Sequence, residues 1–228
     1  MAVRVKICGL TRKLDVEKAI DLGADALGFI FGYEASPRNL EFEKMKQLVR
    51  GVPPYVSTVV VSPSSNTKLE DVISIVQPTF LQLYDEHSSR NEPGLQNGRL
   101  RFSNVIQTVR PNQRDNMVKW ALSLSRGCRG ILLDASSTSL YANGTLGRKE
   151  GISDGKDEHW KLGKSLRGAL DHFPLILGGG LDETNVADAI RAVNPFAVDV
   201  SSGVEAEPGI KDARRMKQFI QSAKNAVA

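Results

Sequence analysis

Short apolar segments alternate with amphipathic segments along nearly the whole chain, and this alternation constrains the fold more than any other feature. The apolar segments, such as 56–61 and 130–133, are rich in Val, Ile and Leu, as buried parallel strands are. The segments between them carry apolar residues at helical spacing, as Val186, Ala189 and Ile190 do. Parallel neighbours need a crossover connection, so strands that alternate with helices indicate a parallel sheet.

The alternation runs through eight strand-helix units, with no linker between two halves. Predicted strands cover residues 3–8, 26–31, 56–61, 80–84, 105–109, 130–133, 175–177 and 197–200. Predicted helices cover residues 14–22, 41–50, 68–76, 111–125 and 158–170, a segment capped by Asp182, and residues 211–226. We expect one closed (β/α)8 TIM barrel of the α/β class, a single domain over residues 1–228. An open doubly wound sheet is the alternative, but no Gly-x-Gly-x-x-Gly turn follows the first strand.

Two connections depart from the regular pattern. Residues 88–101 contain Pro93, Gly94 and Gly98 without a sustained apolar period, so we expect an irregular fourth βα unit. Residues 134–156 are rich in Ser, Gly, Asn and Thr and too long to be a simple connector. We expect a long loop after strand six, of the kind that is usually a functional lid or disordered.

Charge and cysteine count argue against several classes of protein. The net charge is only +4 and the basic residues are scattered without interleaved aromatics, so we expect no nucleic-acid partner. No apolar run approaches the roughly 20 residues that span a membrane, and the strand-like N-terminus is too short for a signal peptide. Two cysteines, Cys8 and Cys128, make no disulfide framework, which favours a reducing cytoplasm. The three histidines are dispersed, so we expect no metal site.

Two glycine-containing turns near the C-terminus indicate a phosphate site. Gly178, Gly179 and Gly180 follow strand seven, and the segment 199–205, with Ser201, Ser202 and Gly203, follows strand eight. The last two strand-loop units of a (β/α)8 barrel commonly bind phosphate. Glycines let backbone N–H groups approach an anion closely, and a following helix N-terminus adds a favourable dipole. The sequence therefore predicts a small phosphorylated substrate.

Three reactive side chains are expected at the carboxyl ends of the strands, where a barrel of this kind has its active site. They are Cys8 after strand one, Arg38 after strand two and Asp134 after strand six. Taken singly, each has an ordinary alternative, because Cys8 could be a small buried residue, Asp134 a turn cap and Arg38 a surface residue. A cysteine that acts as a base needs a lowered pKa, and Lys6, on the same face of its strand, is one source of that effect.

Six motifs together resemble the phosphoribosylanthranilate isomerase family of tryptophan biosynthesis. The resemblance runs from about residue 3 to residue 225, and it is strongest at both ends. It is carried by Lys-Ile-Cys-Gly at 6–9, Gly-Ala-Asp-Ala-Leu-Gly-Phe at 23–29, Ser-Pro-Arg at 36–38, Leu-Leu-Asp at 132–134, Gly-Gly-Gly-Leu at 178–181 and Asp-Val-Ser-Ser-Gly-Val-Glu at 199–205.

The resemblance implies an Amadori rearrangement of N-(5-phosphoribosyl)anthranilate, without cofactor or metal. Carried over residue by residue, it makes Cys8 the general base and Asp134 the general acid. Arg38 would hold the anthranilate carboxylate. The substrate-binding turns would comprise Gly179, Gly180, Asp199, Ser201, Ser202 and Gly203, with the phosphate at the glycines and serines. We expect a cytoplasmic enzyme that is a monomer or a homodimer.

The chain departs from the family after strands four and six. Family members usually have Gln-Leu-His-Gly where this chain has Gln-Leu-Tyr-Asp at 82–85, and the insert at 136–153 is longer than expected. Two alternatives remain. One is the sister sugar-phosphate isomerase of histidine biosynthesis, which generally has a carboxylate where this chain has Cys8. The other is a phosphate-binding barrel that has lost catalysis and serves as a partner.

Overall fold

Eight parallel strands close into a barrel, as the alternation predicts. The structure is a computed structural model that describes residues 2–84, 103–111, 116–134 and 154–226. The barrel strands are β1 (Arg4–Ile7), β2 (Ala26–Ile30), β3 (Ser57–Ser62), β4 (Phe80–Leu83), β5 (Val105–Val109), β6 (Gly130–Asp134), β7 (Leu175–Gly178) and β8 (Ala197–Val200). Each pairs with its sequence neighbours, and β8 closes on β1. The closed order confirms the (β/α)8 barrel and excludes the open doubly wound sheet.

Seven α-helices are found in the described ranges. They are α1 (Lys13–Asp21), α2 (Phe42–Arg50), α3 (Leu69–Asp71), α4 (Met117–Leu124), α5 (Asp154–Leu170), α6 (Val186–Val193) and α7 (Ala213–Asn225). Their apolar faces pack against the outside of the barrel in one continuous core. Between β1 and β8 most boundaries lie within a residue or two of the predicted ones.

Three helices differ from the prediction at their starts or in their winding. After α3 the chain continues as a π-helical segment, Val72–Val76, which ends at Gln77 in the left-handed conformation before Pro78. The fourth helix begins at Met117 rather than at Pro111, because the Asn116 side chain caps it by accepting from the Lys119 backbone. The next helix begins at Asp154, four residues before the predicted start, so it takes up the end of the segment predicted as loop.

Strand alternation decides which side chains line the inside of the barrel. Near the amino ends of the strands the lining is apolar and buried, and its members are Val59, Ile106, Leu132, Ile176 and Ala197. Two residues further along several of these strands the lining becomes polar, with Thr108, Asp134 and Asp199. The polar side chains near the carboxyl ends of the strands therefore lie above a layer of packed apolar side chains.

A small hairpin lies beyond the barrel and was not expected from the sequence. After β8 a 3₁₀ turn, Ser202–Val204, leads into β9 (Glu205–Glu207), which pairs antiparallel with β10 (Ile210–Lys211). The predicted irregular segment 88–101 and residues 135–153 of the predicted loop 134–156 lie outside the described residues. In the described ranges no helix is both long and apolar enough to cross a membrane.

Candidate active site

A buried ion pair joins the first and last strands inside the barrel. Barrel closure places Lys6 of β1 opposite Asp199 of β8, and the Lys6 ammonium lies 2.9 Å from Asp199 Oδ1. The same Nζ donates to Gln82 Oε1 at 3.0 Å, and the Gln82 amide donates to Thr108 Oγ1 at 3.1 Å. Lys6 is 3 % exposed, so this cation depends on protein partners rather than water. Lys6 was considered from the sequence only as an aid to Cys8, and its pairing with Asp199 was not expected.

Cys8 lies directly after β1, at the carboxyl end of the barrel. Its sulfur occupies space left by Gly28 of β2, since a Cβ built on that glycine would lie 2.6 Å from Sγ and 3.0 Å from Lys6 Cε. Burial raises the pKa of the Cys8 thiol, and the ammonium of Lys6 opposes this only in part. Cys8 therefore rests as a thiol, although a base at this position has to be a thiolate. Cys8 and Cys128 are both free thiols.

Asp134 ends β6 and lies across the barrel mouth from Cys8. The Tyr84 phenol donates to Asp134 Oδ2 at 2.9 Å. Tyr84 is itself held, because the Tyr33 hydroxyl donates to its carbonyl and the two rings meet edge to face with centroids 6.2 Å apart. Cys8, Tyr33 and Tyr84 belong to one buried cluster. The thiol and the carboxyl are therefore at the same end of the barrel, connected through Tyr84.

Arg38 is held by a buried carboxylate at the edge of the same opening. Its Nε and Nη2 donate to Glu205 Oε1 and Oε2 at 2.8 and 2.5 Å. Lys211 Nζ also lies 2.8 Å from Glu205 Oε1 and donates to the Ser201 carbonyl at 3.0 Å. Burial lowers the pKa of Lys211, and Glu205 offsets this only partly. Glu205 therefore supports the turn after β8 through Lys211, and it also fixes one edge of the Arg38 guanidinium.

The guanidinium of Arg38 contacts Glu205 through Nε and Nη2, which leaves a second edge at Nη1. Arginine presents several N–H donors in a planar fork that matches a carboxylate. With one edge of the guanidinium fixed by Glu205, the other edge can donate hydrogen bonds to an anion. Arg38 lies beside Gly9, the residue after Cys8, because a Cβ on Gly9 would lie 2.7 Å from both Arg38 Cδ and Ser201 Oγ.

The two glycine turns after β7 and β8 lie against each other. Gly179 and Gly180 have φ of 83° and 68°, a left-handed conformation that favours glycine. The Asn185 side chain fixes the first turn by donating to the Gly180 carbonyl at 2.9 Å and accepting from the Asp182 N–H at 3.0 Å. A Cβ on Gly203 would lie only 2.0 Å from the Leu181 carbonyl oxygen. The second turn can therefore approach the first only because residue 203 is glycine.

Ser201 carries the one side-chain polar atom that is buried without a hydrogen-bond partner in the described part of the chain. A buried hydroxyl without a partner is costly, and it indicates that a ligand completes the site. Ser202 is exposed at the start of the 3₁₀ turn. Hydroxyls and backbone N–H groups in such turns are suited to phosphate. In the ranges that the structure describes, no group of histidine, cysteine and carboxylate side chains could hold a metal ion.

The predicted site residues converge, and several partners came from the structure alone. Cys8, Arg38, Asp134, Asp199 and the two turns all lie at the carboxyl end of the barrel. The structure adds the buried residues Tyr33, Gln82, Tyr84, Glu205 and Lys211, and it gives Lys6, considered before only as an aid to Cys8, a partner in Asp199. The roles of these residues were hard to predict from the sequence, because each role depends on a partner that is distant along the chain.

Comparison with known proteins gives one family across the chain. Residues 5–222 match the family described as N-(5'-phosphoribosyl)anthranilate (PRA) isomerase. The N-(5'-phosphoribosyl)anthranilate isomerase of Thiobacillus denitrificans is 40 % identical over 227 residues, which covers 98 % of this chain and 99 % of that protein.

Solved structures agree with the sequence relatives. A phosphoribosylanthranilate isomerase in complex with reduced 1-(o-carboxyphenylamino)-1-deoxyribulose 5-phosphate is 36 % identical, with a TM-score of 0.73 over 97 % of this chain and 98 % of that one. A monomeric form of the dimeric phosphoribosylanthranilate isomerase of Thermotoga maritima is 33 % identical, with a TM-score of 0.71 over the same shares. The chain therefore belongs to the phosphoribosylanthranilate isomerase family.

Proposed function

We propose that this chain is a phosphoribosylanthranilate isomerase of tryptophan biosynthesis. The reaction is the Amadori rearrangement of N-(5-phosphoribosyl)anthranilate to 1-(2-carboxyphenylamino)-1-deoxyribulose 5-phosphate. The observation that carries the proposal is the position of Cys8 and Asp134 at one barrel mouth, connected through Tyr84 and lying beside two adjoining glycine turns. A barrel that only bound phosphate would not need that pair.

Asp134 acts as the general acid and Cys8 as the general base. Asp134 gives a proton to the ribose ring oxygen, the C1–O bond breaks, and the ring opens to a protonated imine. The Cys8 thiolate then removes the proton on C2, and the resulting enolamine tautomerises to the ketone. Asp134 loses one proton and Cys8 gains one, so a single proton returned to Asp134 restores the enzyme. Proton transfers of this kind typically contribute about 10² to 10⁴ in rate each.

Two anions at opposite ends of the substrate fix it between these groups. The phosphate binds at Gly179, Gly180, Ser201, Ser202 and Gly203, and the unpartnered Ser201 hydroxyl supports this placement. The anthranilate carboxylate binds the edge of Arg38 that Glu205 leaves uncovered. Holding both ends makes the proton transfers effectively intramolecular. Proton transfer alone completes the reaction, so we assign no cofactor.

The test is a fluorescence assay with freshly prepared N-(5-phosphoribosyl)anthranilate. We expect turnover by the wild type and a loss of at least about 10²-fold in kcat for both Cys8→Ser and Asp134→Asn. Cys128→Ser is the matched control, because that half-buried thiol lies before β6 and away from the mouth. Full activity of either site variant would remove that residue from its role, and an inactive wild type would overturn the function.

We also propose that the enzyme is a cytoplasmic monomer or homodimer with one domain over residues 1–228. Both cysteines are free, which suits a reducing compartment. Sedimentation equilibrium over a range of concentrations distinguishes the two states, and a larger assembly would contradict the proposal.

A further inference from the structure

We propose that Lys6 and Asp199 form a proton relay that converts Cys8 from thiol to thiolate. In this relay Cys8 and Asp199 share one negative charge, and the Lys6 ammonium pairs with whichever of them carries it. The inference rests on the proposed role of Cys8 as the base. It gives Asp199, a residue that the sequence assigned to substrate binding, a positioning role through Lys6.

The geometry brings the Lys6 side chain next to both acids. Lys6 Nζ lies 2.9 Å from Asp199 Oδ1, and the end of the Lys6 side chain shares with Cys8 Sγ the space above Gly28. The Lys6 and Asp199 side chains are 4 and 12 % exposed, and Cys8 is 6 % exposed. Water therefore offers little stabilisation to any charge in this cluster, and the partners must supply it.

Burial acts on the two acids in the same direction. It raises the pKa of the Cys8 thiol and also that of the Asp199 carboxyl, while Lys6 opposes both effects. Burial alone would lower the pKa of Lys6, but Asp199 and Cys8 together raise it, so the ammonium keeps its charge. One cation with one shared anion is neutral in either arrangement. Moving the anion within the cluster costs less than ionising a second buried acid.

The transfer balances without another reactant. The S–H bond of Cys8 breaks as its proton passes to Lys6 Nζ, and one N–H bond of Lys6 breaks as that proton passes to Asp199 Oδ1. The ammonium ends with the same number of protons, Cys8 becomes a thiolate, and Asp199 becomes a neutral carboxylic acid. Without substrate, the reverse transfer returns the cluster to its resting form. During turnover Cys8 regains a proton from C2 of the substrate, so the proton on Asp199 leaves the cluster to replace the one that Asp134 has given up.

Nearby charges determine when the proton is transferred from Cys8 to Asp199 through Lys6. Lys211 lowers the pKa of Cys8 and of Asp199 alike, so it does not choose between them. A negative charge on Asp134 raises the pKa of Asp199. Asp134 acquires that charge when it gives its proton to the ring oxygen. Ring opening therefore makes Asp199 a better proton acceptor and produces the thiolate for the next step.

The test titrates Cys8 directly, without substrate. Thiolate absorbance at 240 nm is followed against pH in a Cys128→Ser background, with the matching Cys8→Ser protein subtracted to remove tyrosine. In Asp199→Asn the ammonium has only Cys8 left to pair with, so thiolate should appear at a pH lower by about one unit or more. In Lys6→Met it should appear at a pH higher by a similar amount. Thr108→Val, which removes a neutral member of the same network, should leave the titration unchanged.

The relay is supported if the Cys8 thiolate appears at lower pH in Asp199→Asn and at higher pH in Lys6→Met. A purely structural role of these residues would not shift the titration in opposite directions. An unshifted or higher titration in Asp199→Asn would overturn it, and this single result suffices if Lys6→Met does not fold. The measurement is independent of isomerase activity, so an inactive wild type would refute the proposed function while leaving this titration interpretable. In active protein, the acidic limb of the kcat profile should move with the thiolate titration.

Discussion

The Tyr84 hydroxyl donates a hydrogen bond of 2.9 Å to Oδ2 of Asp134, across the interior of the barrel from β4 to β6. Family members usually have a histidine where this chain has Tyr84. Both residues offer a hydrogen-bond donor on a rigid ring, and here Tyr33 fixes the backbone that carries the ring. The orientation of Asp134, the proposed general acid, therefore involves a residue that differs from the usual one.

Replacing Tyr84 by Phe should lower kcat about tenfold to a hundredfold, since a hydrogen bond to a charged group contributes about 1.5–3 kcal/mol and about 1.4 kcal/mol is tenfold in rate. KM should change little, because neither proposed substrate anchor is touched. Steady-state kinetics of Tyr84→Phe and Tyr84→His check this, and the histidine variant should retain most of the rate. A phenylalanine variant with wild-type kcat would show that Asp134 is oriented by other groups.

Replacing Glu205 by Gln should raise KM about tenfold with a smaller effect on kcat. Glu205 accepts two N–H bonds from Arg38 and one from Lys211, and the amide cannot satisfy all three donors. A group that holds substrate equally in ground and transition states changes KM more than kcat. Arg38→Ala should show the same pattern more strongly.

The control for Glu205 is Glu43→Gln, which breaks an exposed ion pair with Lys46. Exposed pairs contribute at most about 1 kcal/mol, so this variant should have wild-type kinetics. A Glu205→Gln enzyme with normal KM would mean that the second edge of Arg38 does not hold the carboxylate.

Replacing Gly203 by Ala should weaken phosphate binding by at least about tenfold, because misplacing a binding group by about 1 Å can cost far more. The new Cβ would lie 2.0 Å from the Leu181 carbonyl oxygen, so one of the two turns must move. Competitive inhibition by inorganic phosphate measures the change. Gly168→Ala is the control, since a Cβ there meets nothing within 4 Å. Equal phosphate affinity in both variants would contradict the assignment of the phosphate site.

Asp212 should stabilise the fold in a pH-dependent way. Its carboxylate caps α7 by accepting from the Arg215 and Arg214 N–H groups, and these bonds lower its pKa. A carboxyl whose pKa is lower in the folded state stabilises at neutral pH and loses that contribution as pH falls through the folded pKa. Asp212→Ala should reduce the free energy of unfolding by about 1 kcal/mol at pH 7.

Urea unfolding at pH 7 and below pH 4 checks the Asp212 prediction. The difference between wild type and Asp212→Ala should shrink at the lower pH, where the cap is progressively protonated. Asp212→Asn keeps a neutral cap and should show little pH dependence of its own. A difference that stays constant between the two conditions would show that the carboxylate charge does not contribute.

The reactive side chains at the ends of the strands could be predicted from the sequence, because that prediction uses only neighbouring residues. Cys8, Asp134 and the turn with Gly179 each follow an apolar run directly, and in a barrel the carboxyl ends of the strands share one mouth. The same local alternation placed Lys6 on the face of Cys8. The predicted strand positions were accurate for the same reason, since hydrophobic periodicity and the glycines that end an element are features of a few neighbouring residues.

The partners of these groups could not be predicted, because they depend on register and closure. Lys6 and Asp199 are 193 residues apart and meet only when β1 pairs with β8. Tyr84 follows β4 directly and Asp134 ends β6; these two strands are not neighbours, and the side chains meet across the barrel. The hairpin that includes Glu205 and Lys211 has strands too short to give a periodic signal. The irregular fourth unit and the loop at 135–153 stay predictions.

Because Gly28 of β2 has no side chain, the side chain at position 8, directly after β1, has room for the sulfur of Cys8. The sulfur of Cys8 already fills the volume where a methyl group on β2 would be. A carboxylate in place of that sulfur would have to use the same gap. A carboxylate side chain at position 8 therefore fits only while residue 28 has no side chain, so a substitution at either position limits what the other can accept.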